Sequence, residues 1–204
     1  MGAMKNLVTA AFAFFAMTVQ ALSAPASLDD ISDYLETLKS VSAEFVQQNP
    51  DGSQSTGTMF LKRPGKLRFE YVGENSPLVM IGGGQVAVFD PLSNEPPFRF
   101  PVSQTPFAPV IGRSVDIGNT RFETHLMESG TFTILNVQDP RYAEYGYVSL
   151  VFDTAPLQLR QWVVVDGAGQ QTAIALTQIK TGVSIKNSIF NIRHEMRARG
   201  FEIK

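Results

Sequence analysis

Residues 57–73 read GTMFLKRPGKLRFEYVG. As a strand, Gly57 to Arg63 alternates faces with a period of two, so Met59 and Leu61 share a side with Arg63 while Thr58, Phe60 and Lys62 take the other. Pro64-Gly65 is a turn signal, and KLRFEYV (66–72) follows it as a second strand. This period makes the region β rather than helical. One residue is awkward in it. A guanidinium that ends an apolar row needs hydrogen-bond partners or a route to water. From parity alone, Arg63 reads as a strand-end arginine that snorkels outward before the turn.

Upstream the period changes. In SLDDISDYLETLKSVSA (27–43), Leu28, Ile31, Leu35 and Leu38 recur at helical spacing on one face, opposite Asp33, Glu36 and Lys39. Ser27 is placed to cap this amphipathic helix, with Asp29 and Asp30 in its first turn, where the helix dipole favours negative charge. Period two then resumes at SAEFVQQ (42–48). It recurs downstream at 77–82, 85–90, 121–128, 131–138, 145–153, 159–166, 171–180 and 184–192. Turn signals separate these runs, among them Gly82-Gly83-Gly84, ESGT, QDPRY and DGAGQ. About eleven strands with no helix alternating between them predict one antiparallel sheet that curls.

The stretch PLSNEPPFRFPVSQTPFAPVIG (91–112) breaks the pattern. It holds six of the chain's 12 prolines together with Leu92, Phe98, Phe100, Phe107, Val110 and Ile111. Proline that dense is excluded from the middle of a sheet, yet the segment is too apolar for a solvated linker. It is expected to lie over the sheet as a flap. A loop plugging the end of an ordinary barrel is the alternative.

The N-terminus has the layout of an export signal: Lys5, then an apolar run from Leu7 to Val19, then small residues up to Ala26. That run is shorter than the roughly 20 residues of a spanning helix. Residues 1–26 are read as the leader, cut after Ala26 or after Ser23, with 1–3 as a cloning scar ahead of Met4, and 27–204 as a single domain. Loss of Lys5 takes the 17 basic residues to 16 against 19 acidic ones, a net charge of about −3. Basic residues cluster only at Arg193, Arg197 and Arg199, so nucleic acid is not an expected partner. The chain has 0 cysteines, which excludes disulfides, thiolate metal sites and a lipidated N-terminal cysteine. His125 and His194 lack a second histidine at ligand spacing, and no nucleophile elbow, phosphate loop or zinc-protease motif occurs. Neither catalysis nor a cofactor or metal is therefore expected.

In order along the chain, LKSVSAEFVQ with Phe45 and Gln47, GTMFLKRPGKLRFEY with its Arg63-Pro64 pair, the hairpin GGGQVAVFDP, SQTPF and a late IFNI resemble the LolA-type periplasmic lipoprotein carriers. The resemblance covers nearly all of 27–204. It implies an incomplete antiparallel β-barrel, closed on one side by a lid of helices, in a monomer that shelters the acyl chains of lipoproteins. Cargo would come from an inner-membrane lipoprotein-releasing ABC transporter and go to an outer-membrane lipoprotein receptor. Arg63 would point into the cavity and hydrogen-bond the lid when the cavity is empty. Cavity and lid would be lined by Leu28, Ile31, Leu35, Leu38, Phe45, Met59, Leu61, Leu67, Phe69, Phe98, Phe100, Phe107, Val110 and Ile111. The lid segment TPFAPVIG departs from the family's leucine-rich turn. Thr105 is placed to cap it and Pro106 suits a first position, but Pro109 limits the helix to a short one. Two other readings stay open: a module of the same architecture for another lipid or an envelope-stress signal, and an enzyme using the cavity as its pocket.

Overall fold

The computed structural model describes residues 26–119 and 121–202. The expected leader, apart from Ala26, lies outside the described residues. Helix α1 (Leu28–Thr37) begins at a capping box: Ser27 Oγ accepts from the Asp30 amide at 3.1 Å, and the Asp30 carboxylate accepts from the Ser27 amide at 2.9 Å. Strands β1 (Ser40–Gln48), β2 (Gln54–Lys62), β3 (Lys66–Tyr71), β4 (Leu78–Gly82), β5 (Gln85–Phe89) and β6 (Phe98–Pro101) follow as one meander. After the single turn of α2 (Ala108–Ile111), a second meander comprises β7 (Glu123–Ser129), β8 (Phe132–Gln138), β9 (Tyr147–Thr154), β10 (Leu157–Val165) and β11 (Gln171–Thr181). A short helix, α3 (Ile192–Ala198), comes last.

The fold is mainly β, one open antiparallel sheet of 11 strands in the order β6-β5-β4-β3-β2-β1-β11-β10-β9-β8-β7. The β1–β11 pair joins the two meanders. β6 and β7, consecutive in the chain, are the two opposite edges of the sheet. The segment between them must therefore cross from one edge to the other, and this crossing carries α2 over the concave face. The hairpin turns use glycine where φ is positive: Gly83 and Gly84 (φ 59° and 77°) link β4 to β5.

Alternation places Val41, Ala43 and Phe45 of β1, Met59 and Leu61 of β2, and Leu67 and Phe69 of β3 in one core with Leu150, Phe152, Trp162 and Leu176 from the other meander. β4 and β5 are buried on both faces. Leu78, Met80, Ala87 and Phe89 turn away from that core and pack on Ile192 and Met196 of α3.

Four sequence readings are corrected. Residues 184–192 form no strand; they are irregular, then a 3₁₀ turn at Asn187–Phe190, then the start of α3. Lys62 Nζ donates to Ile185 O at 2.7 Å and Arg68 Nη1 to Ile189 O at 2.9 Å, so side chains, not a ladder, hold this segment on the sheet. The count of strands is kept because Phe98–Pro101 pairs with β5 at the sheet's edge, where proline is tolerated. The crossing segment proper therefore starts at Val102, and Phe98, 70% exposed, stands outside it against Phe100. Thr105 does not cap α2; its hydroxyl donates to Val102 O at 2.7 Å and closes a preceding 3₁₀ turn.

Candidate functional site

The turn after β2 puts Arg63 beside the ends of two helices. Its amide donates to Lys39 O at 2.9 Å, which fixes the backbone against the end of α1. Its side chain then donates to Leu38 O (Nε, 3.2 Å), Val110 O (Nη2, 2.6 Å) and Gly112 O (Nη1, 3.3 Å). Leu38 is the C-cap of α1, and Val110 and Gly112 end α2. Helix C-termini leave carbonyls without intrahelical partners and carry partial negative charge. The guanidinium is thus satisfied by backbone oxygens alone. Burial pulls its pKa below the ordinary arginine value, and the charge of Glu36 opposes that shift. The Gly65 amide adds a bond to Ile111 O at 2.9 Å.

Beyond α2 the crossing segment is pinned to α1. Glu36 Oε1 accepts from the Val115 amide at 2.6 Å and Ser32 Oγ from the Ile117 amide at 3.1 Å. Val115 and Ile117 are themselves buried. At the other end, the Val102 amide bonds Gly84 O at 2.9 Å. Between these anchors, residues 103–114 are held by Arg63 and Gly65 at Val110, Ile111 and Gly112.

Two spaces lie under and beside this span. The first is a narrow, partly enclosed chamber of about 40 Å³, walled by Leu35 and Leu38 of α1, Met59 and Leu61 of β2, and Val110 and Ile111 of α2. Leu159, Trp162, Leu176 and Ile179 add to the wall with Val41 and Leu150, and Arg63 lines it too, as the family resemblance implies. The second is a groove of about 610 Å³, open to solvent, floored by Phe69, Val79, Ile81, Val86, Phe100 and Val164. Gln104 to Phe107 roof it, and Glu144 and Asp166 stand on its rim. Leu67, Phe107 and Trp162 line both spaces. Phe107 and Trp162 lie ring to ring at 5.2 Å, and Phe69 meets Trp162 edge-on at 6.2 Å, forming an aromatic partition.

Of the residues expected at the cavity, Leu35, Leu38, Met59, Leu61, Leu67, Val110 and Ile111 line the chamber, Phe69 and Phe100 line the groove, and Phe107 and Leu67 border both. Ile31 and Phe45 are wholly buried in the core behind these walls, Leu28 is half-buried at its margin, and Phe98 touches neither space. Phe45 packs edge-on against Phe69 and Tyr71, and a Cβ on Gly57 would run into the backbone oxygen of Glu70 and lie 2.7 Å from the Phe45 ring, which explains glycine in the opening stretch. Burial pushes the Tyr71 hydroxyl up to about 12, against its bond to Gln47 Oε1.

Sequence reading missed Trp162, Leu159, Leu176 and Ile179. Leu159 and Trp162 are three apart and both face inward, because the β9–β10 register shifts at a bulge between Leu159 and Gln161. Leu176 and Ile179 share a side for the same reason, with Gln178 at φ 49° in the β1–β11 irregularity. Tyr34 of α1, also a wall of the chamber, accepts the Leu159 amide at 3.0 Å, which docks the helix onto the β10 bulge. Among the described residues, no group of three or more His, Asp or Glu is placed to hold a metal ion.

The family model described as outer membrane lipoprotein carrier protein LolA matches residues 36–193. An outer-membrane lipoprotein carrier protein of Methylococcus capsulatus is 25% identical over 100% of both chains. One from Xylella fastidiosa is 28% identical over 81% of this chain and 84% of its own. A solved LolA superfamily protein of Nitrosomonas europaea aligns over 81% of this chain and 98% of its own at 11% identity, with a TM-score of 0.46. With 158 consecutive positions matched by the family model, from the end of α1 into α3, the chain belongs to the LolA family of outer-membrane lipoprotein carrier proteins.

Proposed function

We propose that this chain is a periplasmic, monomeric carrier of acylated lipoproteins. It shelters their acyl chains against the concave face, receives them from an inner-membrane lipoprotein-releasing ABC transporter and passes them to an outer-membrane receptor. The observation that carries the reading is the apolar concave face, covered by a segment whose backbone carbonyls are held by the Arg63 side chain and the Gly65 amide. Each methylene withdrawn from water contributes about 0.8 kcal/mol, so cargo with several long chains gains tens of kcal/mol gross. Such a carrier must still let go. Arg63 is the latch: its bonds to Val110 O and Gly112 O hold the covering segment down, so they stabilise the closed form against one opened by cargo and favour release. A ligand shifts such an equilibrium only by its differential affinity for the two states.

The test is complex formation by delipidated protein with a detergent-dispersed lipoprotein and with the same protein lacking its acylated cysteine. The acylated form is expected to co-elute with the carrier in size exclusion once detergent is removed, and the unacylated form to elute alone. Equal retention of both forms, or of neither, would refute the carrier reading.

A further inference from the structure

We infer that the groove is a separate subsite for one acyl chain, occupied while the latch is still shut, and that the chamber is filled only afterwards. The inference rests on the carrier reading and adds an order to it. The two spaces differ in what they admit. A water needs about 10–15 Å³ measured this way, so the chamber at about 40 Å³ holds a few waters and no acyl chain until α2 lifts. The groove, at about 610 Å³, is within the range of small-molecule sites, about 300–1,000 Å³. Its floor is apolar and it is open to water, so its surface is already available to a chain. It shares Leu67, Phe107 and Trp162 with the chamber as a common wall, and Phe107 is on the crossing segment itself. A chain lying along the floor presses on the Phe107 side of the partition. Further chains pass Trp162 only when Phe107 leaves with α2, which breaks the bonds of Arg63 to Val110 and Gly112. Glu144 and Asp166 on the rim disfavour an anionic head beside the chain, so the occupant is the chain of a neutral or cationic lipidated terminus, not a free fatty acid.

The protein supplies its own reporter, because Trp162 is the chain's 1 tryptophan. A neutral peptide carrying one brominated stearoyl chain is titrated against the full-length protein, and quenching of Trp162 is followed; the same peptide with three palmitoyl chains is the competitor. The monoacyl peptide is expected to quench saturably at one site. Val164→Phe and Val79→Phe, which fill the groove from two different strands, β10 and β4, should each weaken it about tenfold, the equivalent of losing about two buried methylenes. Arg63→Leu should move the triacyl affinity at least about fivefold more than the monoacyl one. Two groove variants guard against a folding fault in either, and thermal unfolding identifies one. Monoacyl binding that tolerates both groove fillings, or that responds to Arg63→Leu as strongly as triacyl binding does, would show a single latch-gated cavity and overturn the proposal. Failure of both peptides to bind the parent would instead overturn the carrier reading on which it rests.

Discussion

As the proposed latch, Arg63 acts through backbone carbonyls at Leu38, Val110 and Gly112. A hydrogen bond to a charged group is worth about 1.5–3 kcal/mol net, which corresponds to roughly a 10- to 150-fold change in the closed-to-open ratio. Arg63→Leu is expected to hold lipoprotein more tightly and hand it to an acceptor at least about tenfold more slowly. The denaturation midpoint should change little, because leucine continues the row of Met59 and Leu61. Arg63→Lys should also transfer poorly, since one ammonium cannot reach carbonyls at Leu38, Val110 and Gly112 together. Transfer from Arg63→Leu at the parent rate would return Arg63 to an ordinary strand-end residue. A second residue-scale expectation concerns pH. Tyr71 is held up to about 12 by burial, whereas in the unfolded chain it ionises near 10. The unfolded state therefore loses the proton first. Stability is full below about pH 10, declines by about 2–3 kcal/mol as pH approaches 12, and then levels off. Tyr34, also raised by burial, slopes the same way. Denaturant titrations at pH 8 and 11 should show Tyr71→Phe losing less stability than the parent; equal losses would mean that Tyr71 ionises as freely folded as unfolded.

At the scale of elements, the crossing segment depends on its neighbours for its shape. One turn of helix is far below the length at which a helix stands alone, so α2 keeps its shape through Arg63, Gly65 and its own buried Val110 and Ile111. The next stretch is fixed by Glu36 and Ser32. Glu36→Ala leaves the Val115 amide without its acceptor, a loss of about 1–3 kcal/mol for a buried donor. Hydrogen exchange should then accelerate across 105–117 while the β1, β2 and β11 amides keep their protection. An unchanged pattern would remove Glu36 from the anchor. The C-terminal strap is an independent element. Burial pushes the Glu195 carboxyl up, but hydrogen bonds and charge from Arg199 and Arg68 outweigh this and hold it below the usual range. A depressed carboxyl contributes stability above its unfolded pKa and loses it as pH falls through the folded one. Glu195→Gln should therefore loosen α3 at neutral pH much as acid does in the parent, raising proteolysis within 187–200. If Glu195→Gln is as resistant as the parent, the apolar contacts of Ile192 and Met196 suffice to hold the strap.

For the whole molecule, the decisive fact is that β6 and β7 are opposite edges. It turns a proline-rich connection into a cover, and it separates two phenylalanines that the sequence groups together. Phe107 divides the chamber from the groove, while Phe98 stands 70% exposed on the edge strand. Phe107→Asp is expected to weaken acyl binding about tenfold or more, the loss of a large apolar contact at about 1.5–3 kcal/mol. Phe98→Asp should leave the affinity where it was. Titrating both with one lipopeptide decides the matter: equal weakening would mean that residues 98–112 act as a single flap after all.

What the sequence determined by itself was local. Period two placed ten of the strands, parity put Met59 and Leu61 on one face, which is the inward one, and Ser27 with Asp30 marked the start of α1. Backbone pleat and capping act between residues a few positions apart, so their pattern can be read from the letters. Tertiary structure alone decided three things: which strands became edges, where bulges at β10 and β11 turned Trp162 and Ile179 inward, and which atoms meet Arg63. Strand order and register depend on pairings far apart in the chain. The acceptors at Val110 and Gly112 are backbone oxygens, which every residue carries. No letter in the sequence marks them; only the crossing of residues 102–122 from β6 to β7 brings them to the arginine.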